Sequence, residues 1–150
     1  MVSIGADIEL AFYKGEIFVP ASGVVRGLRS QFGVDGNRNI AEIRPKYAFC
    51  PIELTENIFK AMKRKFNSEI RIQKLRWTSG AIRSGYSLGG HIHFGGVPNN
   101  LYSGGREGKL FRNYMDNYVL GFSTLLGSDR EESLRRNNYG MMGDVRWQPH

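Results

Sequence analysis

Two histidines set two residues apart between paired glycines, Gly89-Gly90-His91-Ile92-His93-Phe94-Gly95-Gly96, are the residues of this chain best suited to chemistry. In an extended strand, side chains at i and i+2 point to one face. His91 and His93 then share a face, while Ile92 and Phe94 are expected to pack the other. The glycines let backbone or a ligand approach closely at both ends. Acids recur with the same spacing. In Ile4-Gly5-Ala6-Asp7-Ile8-Glu9-Leu10 the apolar residues alternate with Asp7 and Glu9, and in Asn39-Ile40-Ala41-Glu42-Ile43-Arg44-Pro45 they alternate with Glu42 and Arg44. Period-2 alternation is the signature of a half-buried strand. A solvated strand face is ordinarily built from Lys, Thr and Ser, and closely spaced acids repel across neighbouring strands unless a cation lies among them. Oxygen-rich donors with one or two imidazoles favour Mg or Mn, because a dedicated zinc site more usually shows three His or Cys ligands.

The elements that must position these residues read as one α+β domain spanning residues 1–150. Its sheet is expected to be mostly antiparallel, with helices on one face and the charged residues on the other. A first strand near 3–12 turns at Tyr13-Lys14-Gly15 and pairs with a short strand near 16–20. A glycine-rich loop over 23–37 leads to the Glu42 strand, with Gly33 to Gly36 as turn punctuation. A helix follows Pro51 to Phe66 or beyond, with Leu54, Ile58, Met62 and Phe66 as its apolar stripe and Lys60, Lys63, Arg64 and Lys65 on a solvated face. A strand or loop through Trp77 precedes the histidine strand. The polar, glycine-rich loop over 95–108 is the expected mobile lid. A second helix over 109–126 carries Phe111, Tyr114, Tyr118, Phe122 and Leu125, whose spacing predicts a buried face. Beyond Gly127 a short helical turn and a loop are expected.

Composition narrows the function classes. The 150 residues suit a single core. The sequence has no apolar run long enough to span a bilayer and no basic-then-apolar leader. The expectation is therefore a soluble, cytoplasmic protein with no membrane partner. Cys50 is the single cysteine, which excludes an intrachain disulfide, and no histidine lies near it in sequence to make it a nucleophile. Glycine occurs 19 times, well above the ordinary share of about 7%. The net charge of +7 suits either nucleic acid or a site for nucleotide phosphates and an acidic substrate. Arg71, Lys74, Arg76 and Arg83 border Trp77 and Tyr86, which could stack on bases, but no nucleic-acid module accompanies them. Other metal chemistries fit poorly. A metallohydrolase built on the histidine pair needs further ligands, and His150 is the remaining histidine. A TIM barrel needs about 200 residues or more. A cupin places an acid soon after the second histidine, whereas Gly95, Gly96, Val97 and Pro98 follow here.

Taken in order, the motifs resemble the phage-type carboxylate-amine ligases, amidoligases of the glutamine synthetase and glutamate-cysteine ligase superfamily. The matching segments are Ile4-Gly5-Ala6-Asp7-Ile8-Glu9, the Asp35-Gly36 turn with Ala41-Glu42-Ile43-Arg44-Pro45, and Gly89-Gly90-His91-Ile92-His93-Phe94-Gly95. Arg135-Arg136-Asn137-Asn138-Tyr139-Gly140 and Gly143-Asp144-Val145-Arg146 complete the set. The resemblance implies the glutamine synthetase-like catalytic fold and ATP-dependent joining of a carboxylate to an amine, forming an amide or isopeptide bond through an acyl phosphate. It implies ATP with Mg or Mn, held by Asp7, Glu9, Glu42 and His91. His93 is then a supporting or substrate contact, Arg44, Asn138 and Tyr139 face the nucleotide, and Arg136 and Arg146 carry charge during transfer. The implied substrates are a carboxylate and an amine, amino acid or peptide, with a phage or host protein as a further target class. The location is the infected cell's cytoplasm or the virion. The family typically continues past the position of His150 into a strand bearing a Glu-x-Arg motif. On that comparison the chain is a fragment of a longer domain, or an inactive virion or interaction protein that keeps the fold. A basic nucleic-acid-binding domain ranks below both.

Overall fold

The computed structural model describes residues 1–25, 31–68, 70–80, 82–101 and 104–120. The fold is α+β, and the chain divides into two compact units, Met1–Gly96 and Val97–His150.

In the first unit everything is arranged around one long strand, β1 (Ser3–Lys14). β2 (Ile17–Val19) returns from it through a turn in which Gly15 takes a positive φ of 60°. β3 (Phe32–Val34) and β4 (Ala41–Ile43) form a hairpin. The hairpin's connection is closed by Asp35, whose carboxylate accepts from the Asn37 amide, an Asx turn of the kind that suits Asp before Gly. After α1 (Pro51–Ser68) and the single turn α2 (Ile70–Gln73) come β5 (Arg76–Thr78), β6 (Ile82–Arg83), β7 (Tyr86–Ser87) and β8 (Gly90–Gly95). All pairings are antiparallel. β1 is flanked by β4 along Ile8–Leu10 and by β8 along Ser3–Ile8, then exchanges these partners for β5 along Ala11–Tyr13 and β2 along Phe12–Lys14. The sheet curls accordingly. β6 and β7 pair separately, joined by a two-residue turn with positive φ at Ser84 and Gly85, the conformation that matches strand twist in tight hairpins.

Alternation along β1 divides the unit's interior in two. The even-numbered Leu10 and Phe12, with Ile8 partly buried, join Phe32, Val34, Ala41 and Ile43 against Ala61, Met62, Ile72, Leu75 and Trp77. Phe12 is fully enclosed, stacked on Phe32 and edge-on to Trp77. Each such large apolar side chain contributes about 1.5–3 kcal/mol by leaving water. The odd-numbered Ala11 and Tyr13 face the other way, into a smaller cluster with Ile40, Leu88, Phe18 and Tyr86. Asp7 and Glu9 share this odd-numbered face, so the charged residues sit beside an apolar floor.

The α1 start is built locally. Pro51 at the first helical position has no amide to leave unsatisfied. The Glu53 amide donates to the Cys50 sulfur, and the Glu53 carboxylate accepts from the Phe49 amide, a reciprocal arrangement akin to a capping box. The lone cysteine is therefore a helix cap. The expected helix boundaries hold, and Leu54 and Ala61 are buried.

Several sequence expectations are corrected. The segment over 23–37 is not all loop: β3 lies within it, concealed by its three-residue length and central glycine. Ile92 was expected to pack but is 54% exposed, on a strand that pairs with β1 alone among the described strands. Trp77 and Tyr86 serve the two clusters, with the Trp77 indole donating to the Ile72 carbonyl and the Tyr86 hydroxyl accepting from Asn39. Arg76 lies over the Tyr13 ring and pairs with Glu16.

In the second unit, a short turn at Asn99–Leu101 precedes α3 (Arg106–Met115), which ends in a wider turn over Asp116–Leu120. Tyr114 and Tyr118, expected in a buried face, are instead exposed and stacked on each other at 4.4 Å. Four-residue spacing brings such rings together on a helix surface without a core behind them. Phe122 and Leu125 lie outside the described residues.

Candidate metal centre

Three strands converge on one patch of the odd-numbered β1 face. Asp7 lies directly opposite His91 on β8, and Glu9 lies directly opposite Glu42 on β4. Directly opposed residues in a ladder share a face, so Asp7, Glu9, Glu42, His91 and His93 all lie on the same side of the sheet. Within this set, donor atoms of Asp7, Glu42 and His91 lie within 4.8 Å of one another. Glu9 occupies the same face beside them without belonging to that closest group. Burial is graded: Glu42 is buried, Asp7 half-buried and His91 exposed. The cluster therefore has a protected floor and an open mouth.

Two further groups brace the acids. His93 Nε2 lies 2.8 Å from Asp7 Oδ2. This diagonal contact is possible because His93 stands opposite Gly5, which puts no side chain between them. It fixes the Asp7 carboxylate from one side. Arg44, at the end of β4, turns back on its own strand. Its Nη2 pairs with Glu42 Oε2 and also donates to the Val34 carbonyl at 3.2 Å. Gly33, directly opposite Glu42, leaves that side of the carboxylate uncrowded.

The backbone is fitted to these contacts. A Cβ on Gly90 would lie 2.4 Å from the Asp7 carbonyl oxygen, closer than packed atoms tolerate. The Glu9 amide meanwhile donates to the Gly89 carbonyl at 3.1 Å. The glycine pair ahead of the histidines thus lets β8 approach β1 closely enough for His91 to meet Asp7. The close backbone approach is the one expected from the glycine pair, whereas the Val34 carbonyl was not visible in the motifs.

Two carboxylates and an imidazole at this separation fit a divalent cation, since acids so close repel unless positive charge compensates them. The oxygen-rich set matches Mg or Mn better than zinc. Of the expected site residues, the structure brings together Asp7, Glu9, Glu42, His91, His93 and Arg44. Arg136, Arg146, Asn138 and Tyr139 lie outside the described residues. On the opposite side of the sheet, a shallow hollow lined by Phe59, Met62, Lys63, Phe66, Leu75 and Trp77 is apolar and carries no acid.

No curated protein and no solved structure matches the chain. A family model does, over residues 4–150, which takes in every one of these strands as well as the second unit. By that match the chain belongs to the phage phiEco32-like COOH.NH2 ligase-type 2 family.

Proposed function

We propose that this chain carries the catalytic site of an ATP-dependent carboxylate-amine ligase with the glutamine synthetase-like catalytic fold. The observation that carries the proposal is the convergence of Asp7, Glu42 and His91 within 4.8 Å in a member of a ligase family. A carboxylate is a poor electrophile and must be activated before an amine can attack it. Bound Mg or Mn with ATP supplies that activation, the nucleotide by phosphorylating the carboxylate and the cation by neutralising phosphate oxygens.

The chain's own residues do the positioning. Asp7, Glu42 and His91 hold the cation, with Glu9 contributing charge beside them. His93 orients Asp7, and such supporting contacts typically change metal affinity 10- to 100-fold. Arg44 faces phosphate when it is not engaged by Glu42. Arg136 and Arg146 are proposed to hold the transferred group, and Asn138 and Tyr139 to line the nucleotide, on the strength of their motifs. The substrates are a carboxylate and an amine, of amino-acid or peptide type, and the protein acts in the cytoplasm of an infected cell.

The test is Mn binding by the full chain, followed by electron paramagnetic resonance, together with metal-dependent ATP binding by calorimetry. Wild-type protein should bind Mn, and Asp7→Asn, Glu9→Gln and His91→Ala should each weaken it while the fold, followed by circular dichroism, persists. Nucleotide should bind only with the metal. A wild-type chain that binds neither, or Mn affinity indifferent to all three substitutions, would refute the assignment.

A further inference from the structure

Arg44 is held in an unfinished way. The Glu42 side chain is 7% exposed and that of Arg44 30%, so their pairing is largely withdrawn from water. Yet only one guanidinium nitrogen is used: Nη2 serves both Glu42 and the Val34 carbonyl. Nη1 is buried with no hydrogen-bond partner among the described residues. A guanidinium satisfies a carboxylate best through two parallel bonds from two nitrogens. Here the fork is not closed on Glu42, and its buried donor lacks an acceptor that water would otherwise supply.

The same carboxylate belongs to the Asp7, Glu42 and His91 cluster. With no cation present, Glu42 needs a counter-charge, because a buried carboxylate left alone is strongly destabilising. Arg44 is that counter-charge. A divalent cation at the cluster would place two positive charges beside the guanidinium, competing for the Glu42 oxygens and repelling the arginine from them.

We infer that Arg44 is a resident counter-ion that a divalent cation must displace from Glu42, so that arginine and metal occupy the carboxylate in turn. This rests on the proposed metal-binding role of the cluster. The exchange has two consequences. Metal affinity is held below what the ligands alone would give, and loading the metal releases a guanidinium toward an anion. The anion class that suits both released donors is a phosphate or polyphosphate oxygen, which accepts from a planar fork.

The competition has an unusual sign, which makes it testable. If Arg44 merely supports the site, removing it weakens metal binding; if it competes, removing it strengthens binding. Mn titration of the full chain by electron paramagnetic resonance should show Arg44→Met binding about tenfold or more tightly than wild type, with Arg44→Lys much closer to wild type because it keeps a positive charge. A second measurement uses the unaltered protein. The Arg44 guanidinium resonances, assigned by their loss in Arg44→Lys, should shift on saturation with Mg and gain protection from exchange when inorganic tripolyphosphate is added. Equal or weaker Mn binding by a folded Arg44→Met, in a background where wild type binds Mn, would overturn the exchange while leaving the metal site standing. Arg44 resonances unmoved by saturating Mg would do the same even if the methionine variant did not fold. A wild-type chain that bound no Mn would instead remove the metal site, and the exchange with it.

Discussion

Gly90→Ala isolates the geometric requirement behind the Asp7, Glu42 and His91 cluster. The added Cβ would sit 2.4 Å from the Asp7 carbonyl oxygen, 3.4 Å from the Asp7 carbonyl carbon and 3.5 Å from the Ile8 Cα. All three are backbone atoms of β1, which is held by β4 on its other side, so it is β8 that has to retreat. Ordinary van der Waals contact requires a shift of about 1 Å, and overpacking of this kind costs about 1–3 kcal/mol. For a unit of 96 residues, each kcal/mol lowers Tm by about 4–8 °C, so a fall of at least about 4 °C is expected. The effect on the site is separate. A displacement of about 1 Å exceeds the tolerance of roughly 0.5 Å within which a site must hold its ligands, and Mn affinity should fall by about tenfold or more. Thermal denaturation by circular dichroism reads the first effect, and Mn titration of the folded variant reads the second. Gly36→Ala is the control, because a Cβ there meets nothing within 4 Å, and it should behave as wild type in both. A Gly90→Ala protein as stable and as tightly binding as wild type would refute the close β1–β8 approach and the role assigned to the glycine pair.

Three other substitutions probe different layers. His93→Ala removes the 2.8 Å contact to Asp7 and should lower Mn affinity about 10- to 100-fold with little change in Tm; unaltered affinity would mean that Asp7 is oriented by something else. Phe12→Ala empties a fully buried position between Phe32 and Trp77 and should cost about 3–5 kcal/mol in urea denaturation, a loss under 1 kcal/mol contradicting the packing described. Tyr13→Phe deletes the 2.8 Å hydrogen bond to Ser84 Oγ, which ties the β6–β7 turn to β1, and should cost about 0.5–1.5 kcal/mol with no change in metal binding.

Much of the candidate site was legible because strand alternation is local. Asp7 with Glu9 and His91 with His93 each had to share a face once their segments were extended, and each pair does, while Arg44, just past the end of β4, reaches Glu42 as an ion pair. Which residue meets which across the sheet was not legible. The register that sets Asp7 opposite His91 and Glu9 opposite Glu42 depends on strands far apart in sequence, and no local pattern specifies it. Glu9 illustrates the limit: it shares the face, yet Asp7, Glu42 and His91 form the tightest group. The Arg44–Glu42 pair was hidden for the opposite reason, since i and i+2 neighbours on one strand read equally well as two independent ligands. Ile92 followed the alternation faithfully but lies on a strand with one described strand partner, so its pattern was right and its burial was not. Tyr114 and Tyr118 had helical spacing, which places side chains on a common stripe without determining what lies against it.

The sharing of β1 among partners also orders events during synthesis. Its lower half can pair with β2 as soon as the first turn is made, and β4 follows within some thirty further residues. The stretch that carries Asp7 waits for β8, and Asp7 and His93 are 86 residues apart along the chain. Contacts that close so long a loop form late in a folding reaction. While the ribosome is still extending the chain, Asp7 therefore stands on an open strand edge, without the His93 contact that fixes it in the finished unit. Completion of the sheet and assembly of the Asp7, Glu42 and His91 cluster become parts of a single late step, and the nascent protein brings these donors together only when most of its first unit already exists.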